Sequence, residues 1–60
     1  MSALTSWREE KQSAWLYRIM AANESDQNLV RMFTALANAA ESQALLWQDK
    51  LQTCEYTLQN

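Results

Sequence analysis

Chemistry in this chain would have to begin at Glu10. It stands in the run Arg8-Glu9-Glu10-Lys11, and Tyr17 follows it seven residues on. Further along come Glu41 and Gln43, the single thiol is Cys54, and there is no histidine. In helical bundles, carboxylates neutralise and bridge metal ions and histidine adds a nitrogen donor. Glu10 without an imidazole offers too few donors for di-iron oxidation. Two copies of Glu10 brought together by a symmetric dimer would repel each other or recruit a cation. The run also has a plainer reading: a solvated face near a helix start, where acidic residues suit the helix dipole. Tyr17 reads as a half-buried aromatic with its hydroxyl at the boundary. Cys54 reads as a small buried hydrophobe, with a symmetric intermolecular disulfide as its functional alternative. Met1, Met20 and Met32 are too scattered for a copper site. No nucleophile–base pair, phosphate loop or cofactor motif occurs in the sequence, and enzymatic activity is not expected.

The elements that position these residues come from a short chain. Its 60 residues make one small domain, whose core is marginal alone. Scaffolds of this size need disulfides, a metal or a partner chain. One cysteine excludes an internal disulfide, and the lack of histidine removes the usual zinc ligand. Self-association remains, and a homodimer is expected. Five Lys or Arg stand singly against seven Asp or Glu, net −2, so nucleic acid is not an expected partner. No apolar run approaches the roughly 20 residues that span a bilayer, so this segment is not expected to insert in a membrane. The N-terminus does not read as a signal peptide. A lone thiol fits a reducing compartment, and a cytoplasmic location is expected.

The sequence contains no Gly and no Pro, and it is rich in Ala, Leu, Gln, Glu and Met, which together predict helix throughout. Ser6-x2-Glu9 reads as a capping box. The one break is Asn23-Glu24-Ser25-Asp26-Gln27-Asn28, with Ser25 or Asp26 as the cap of a second helix. The expected elements are a helix over about 6–23 or a turn earlier, a turn over about 24–26, and a helix over about 27–58. On the second helix an apolar stripe runs through Leu29, Phe33, Leu36, Ala40, Ala44, Trp47, Leu51, Cys54 and Leu58, at a mean spacing of roughly 3.6. Val30, Met32, Ala37 and Leu45 widen it. The first helix offers Leu4, Trp7, Ala14, Trp15, Ile19 and Ala22, with Leu16 and Met20 on a flank. These stripes are wider than one hairpin covers. The expected fold is all-α: an antiparallel two-helix hairpin completing a four-helix bundle by homodimerisation. Its expected dimer core is Trp15, Ile19, Leu29, Phe33, Leu36, Trp47 and Leu51.

A turn near Ser25 sets the register. Residues whose numbers sum to about 50 lie level, since both helices rise about 1.5 Å per residue. Glu10 falls level with Ala40, with Gln43 one turn further along, and Tyr17 falls level with Phe33. Residues 51–58 are expected to project past the first helix and to need a partner chain or further sequence. That overhang suggests a domain cut from a longer protein.

Glu10-x6-Tyr17 with Arg18-Ile19-Met20-Ala21-Ala22-Asn23-Glu24, and Phe33-x2-Leu36-Ala37-x2-Ala40-Glu41-x-Gln43-Ala44-x2-Trp47, resemble the helical hairpin of ferritin-like carboxylate proteins. The resemblance covers most of residues 7–51. It is similar above all to the erythrin-type hairpins at the N-terminus of some vacuolar-iron-transporter-like membrane proteins. It implies a place for Glu10 as the first-helix metal ligand and for Tyr17 beside the metal. Ala40 stands where that family has its second-helix Glu, and Gln43 where it has its His. Glu41 neighbours the ligand position, turned about 100° away. The resemblance therefore implies a dimerising ferritin-like domain with a lost or vestigial site for iron or manganese, as a structural or regulatory part of a metal-handling protein that carries a membrane domain. A helical interaction module unrelated to metal is the alternative.

Overall fold

The structure is a computed structural model that describes the backbone of residues 2–59 and the side chains of residues 2–53. It consists of α1 (Ala3–Asn23) and α2 (Gln27–Gln59) packed as an antiparallel hairpin, with no strand among the described residues. The hairpin measures 51 × 15 × 14 Å. At about 1.5 Å per residue, α2 runs its whole length. The 21 residues of α1 stop short of the far end of the 33-residue α2, which projects beyond them. The side chains of Cys54 and Leu58 lie outside the described residues.

The helix starts explain themselves locally. α1 begins a turn before the Ser6-x2-Glu9 box, at the earlier of the two expected starts, and Ser6 is not its cap. Ser2 is the cap: its Oγ accepts from Thr5 N at 3.1 Å and its carbonyl accepts from Ser6 N at 3.0 Å. Ser6 therefore sits inside the first turn. The chain leaves α1 at Glu24 in an extended conformation (φ −95, ψ 136), and no described residue has a positive φ. A glycine is not needed because side chains satisfy the loose ends. Asn23 Nδ2 donates to the Ile19 carbonyl at 2.8 Å, and Glu24 Oε1 accepts from Ser25 N and Asp26 N at 3.0 and 3.1 Å. Asp26 opens α2: its carboxylate accepts from Asn28 N at 2.9 Å and its carbonyl from Val30 N at 2.9 Å. An oxygen side chain at this position satisfies one of the four orphan donors of a helix start.

The buried seam differs from the expected stripe. On α2 the inward residues are Val30, Phe33, Ala37, Ala40, Ala44, Trp47 and Leu51. They step alternately by three and four, a mean of about 3.5, the period of coiled-coil packing. Leu29 and Leu36, placed in the stripe by a 3.6 spacing, are exposed, and Val30 and Ala37 take their places. On α1 the matching series is Ala3, Trp7, Glu10, Ala14, Tyr17 and Ala21. Leu4, Trp15, Ile19 and Ala22, also expected to face inward, are exposed. Among the described residues the buried apolar ones are Ala14, Ala37, Ala40 and Ala44. Small residues let helices approach closely, because interaxial distance follows the side chains at the contact. The register sets large residues against small ones: Trp7 opposite Ala44, and Trp47 opposite Ala3.

Candidate interaction surface

The level pairs can be fixed by observed contacts. The Tyr17 and Phe33 rings stack with centroids 6.5 Å apart. Lys11 Nζ reaches Glu41 Oε2 at 3.2 Å. Both pairs sum near 50, as a turn at Ser25 requires.

Glu10 lies half-buried on the seam, opposite Ala40 in this register. It makes no hydrogen bond or ion pair with another described residue. Gln43 is exposed, and Glu41 is turned aside into the ion pair with Lys11. The described residues bring no three His, Cys, Asp or Glu side chains together as a metal site. One carboxylate against an alanine cannot hold iron on its own, since such ions take several oxygen and nitrogen donors. One turn before Glu10, the buried indole N–H of Trp7 finds no acceptor among the described residues. An unmet buried donor costs about 1–3 kcal/mol.

The two flanks of the seam differ in character. On one flank, Glu41 takes Lys11 and, at 3.9 Å, Arg18 Nε, while Arg18 Nη2 donates to Asn38 Oδ1 at 3.3 Å. This flank joins the helices through polar groups. At about 100° per residue, Leu16 and Met20 of α1 turn to the opposite flank, as do Leu29, Met32 and Leu36 of α2. All five are exposed. They form one apolar patch near the turn end of the hairpin. Along α2 this flank follows its own three-four series, Leu29, Met32, Leu36, Ala39, Gln43, Leu46 and Lys50, and beyond Leu36 it alternates apolar Ala39 and Leu46 with polar Gln43 and Lys50.

The seven residues expected to form one dimer core are separated by this geometry. Leu29 and Leu36 lie on the apolar flank. Phe33, Trp47 and Leu51 are half-buried in or beside the seam. Trp15, 62% exposed, turns to the flank of Lys11 and Arg18, and Ile19 points from the back of α1. The sequence pattern places Met32 on the widened face of the stripe and Leu16 and Met20 on a flank. The signal that could have found them is the three-four series displaced by one residue from the buried one. Beside the start of α1, Gln43, Leu46, Trp47, Asp49 and Lys50 line a shallow open groove on α2, with Lys50 Nζ 4.9 Å over the Trp47 ring. Its lining carries no nucleophile paired with a base.

No helix among the described residues is long and apolar enough to cross a membrane. The chain matches no family model, no curated protein and no solved structure.

Proposed function

We propose that this chain is a non-enzymatic helical interaction module that pairs with a second copy of itself to complete a four-helix bundle. The observation that carries this reading is the inversion of its apolar residues. Among the described residues the buried positions are all alanines, while ten large hydrophobic side chains are exposed. Burial of a Leu, Ile or Met contributes about 1.5–3 kcal/mol, so the hairpin leaves most of its apolar stabilisation unused. Contiguous exposed apolar patches mark interaction sites.

The ferritin-like reading enters this proposal as ancestry of the hairpin, with Glu10 as the remnant of a ligand set and Tyr17 serving as a packing residue. The donors present favour a structural role over iron or manganese handling. Native mass spectrometry with and without ferrous iron and manganese tests both parts. A dimer of unchanged mass in either metal supports the proposal. A monomer at micromolar concentration, or stoichiometric metal lost on Glu10→Ala, contradicts it.

A further inference from the structure

We infer that the polar flank of the hairpin is a docking face for an acidic helix of another protein. It lies on the other side from Met32, so it stands whether or not the chain pairs with itself. The first observation is where the charges fall. One residue on from the seam of α1, the three-four series Leu4, Arg8, Lys11, Trp15, Arg18 and Ala22 turns to this flank, and Arg31 does so on α2. Four of the five basic residues, including all three arginines, therefore stand on one side of a chain whose net charge is −2. Glu41 is the one acid beside them among the described residues. Glu9, Glu10, Glu24, Asp26 and Asp49 lie in the seam, in the turn or on other sides.

The cations on this flank outnumber their partners. Glu41 divides its carboxylate between Lys11 at 3.2 Å and Arg18 at 3.9 Å. Arg8 and Arg31 have no ion pair among the described residues. In the register of the Tyr17–Phe33 stack, Arg18 and Arg31 fall within one residue of level. Two like charges at one level repel, and an incoming carboxylate relieves that repulsion. Between Lys11 and Arg18 stands Trp15, at 62% the most exposed of the large apolar side chains described. Trp and Arg are the residues that most often carry the binding energy of protein interfaces. The arginine fork takes a carboxylate through two parallel hydrogen bonds.

The layout of the face selects among anionic partners. From Leu4 to Ala22 the series runs about 27 Å in steps that a helix laid alongside would meet once a turn. Its ends are apolar, with Leu4 falling beside Leu45, and its middle is cationic around Trp15. A matching helix carries Asp or Glu through its middle turns and an apolar residue over Trp15. Discrete carboxylates on such a helix reach Arg8, Arg18 and Arg31 while avoiding Glu41. A uniformly anionic bilayer or a phosphate backbone would press on Glu41 as well, and would meet a chain that is negative as a whole.

The test uses a labelled, alanine-rich helical peptide about 20 residues long, with Glu in three-four steps and one Leu at its centre. The full chain is titrated into it and fluorescence anisotropy reads binding. Saturable binding is expected, weaker as salt rises, and lost when Gln replaces Glu in the peptide. Arg8→Gln combined with Arg31→Gln, and separately Trp15→Ala, are each expected to weaken it about tenfold or more. Lys50→Gln and Met32→Asp, on the other flank, are expected to leave it within about twofold, with circular dichroism showing parental helix content in every variant. An absence of saturable binding at millimolar concentration overturns the inference. So does a loss at Lys50→Gln as large as that of the arginine pair. Tighter binding to phosphatidylserine vesicles or to a single-stranded oligonucleotide, lost with the same arginines, overturns it too and gives the face to a membrane or a nucleic acid.

Discussion

The Tyr17 and Phe33 rings stack across the hairpin at 6.5 Å, with planes 20° from parallel. They are the one aromatic pair among the described residues, in a seam lined by alanines at its centre. Such pairs contribute about 0.5–1.5 kcal/mol beyond their area. A double-mutant cycle of Tyr17→Ala and Phe33→Ala, read by urea denaturation, is expected to give a coupling of about 1 kcal/mol. Phe33→Asp, which places a charge against the seam, is expected to leave a mostly unfolded chain. A helical, cooperatively melting Phe33→Asp protein would remove this pair from the core.

Ala37 is wholly buried, and Ala14 nearly so. They fall level in the register. Leucine at either position has no space unless the helices move apart. Overpacking of a tight core costs about 1–3 kcal/mol. Ala37→Leu is therefore expected to lower the denaturation midpoint, although leucine is as apolar as the residues around it. A gain in stability would show that the seam is loose.

The polar flank is expected to matter less. Glu41 receives Lys11 and Arg18, but the side chains involved are 38–50% exposed. Exposed ion pairs contribute at most about 1 kcal/mol and weaken with salt. Glu41→Gln should shift stability by less than about 0.5 kcal/mol at moderate ionic strength. Asp26→Ala should cost about 1 kcal/mol, because it leaves the Asn28 N–H without its 2.9 Å acceptor. A larger effect at Glu41 than at Asp26 would reverse that ranking.

Glu10 occupies a seam position between Trp7 and Ala14 and makes no hydrogen bond or ion pair with another described residue. Replacing it with alanine removes a polar group from the helix interface and improves helix propensity. Glu10→Ala is expected to leave stability unchanged or raise it, in the same thermal melt with and without manganese. A large loss of stability that added metal reverses in the parent chain alone would show a living metal site.

The hairpin itself was legible in the sequence. Residues 23–28 concentrate Asn, Ser and Asp in a chain free of Gly and Pro, and the turn falls there with Asp26 as cap. Counting from that turn placed Tyr17 against Phe33. Which apolar residues face the partner helix and which stay outside the hairpin is less legible. Leu29, Leu36, Trp15 and Ile19 are exposed, while the inward positions belong to alanines, whose low hydrophobicity gives a weak periodic signal. A 3.6-residue stripe and a 3.5-residue seam diverge by only about 20° per heptad. The two series share Phe33, Ala40, Ala44, Trp47 and Leu51, and part only where Leu29 and Leu36 stand one residue, about 100°, from the inward Val30 and Ala37. At the start of α1 the cap is Ser2, so the helix takes the earlier of the two expected starts and Ser6 lies in its first turn.

Sedimentation equilibrium over a hundredfold range of concentration, with Met32→Asp beside the unsubstituted chain, addresses the central claim most directly. Met32 is exposed on the hairpin, so the substitution touches docking and spares the seam. The unsubstituted chain is expected to fit a monomer–dimer equilibrium and to gain helix content and thermal stability with concentration, as mass action requires. Met32→Asp is expected to remain monomeric at every concentration. A fully helical, concentration-independent monomer of the unsubstituted chain, or a Met32→Asp protein that dimerises as tightly, would contradict assembly through this face.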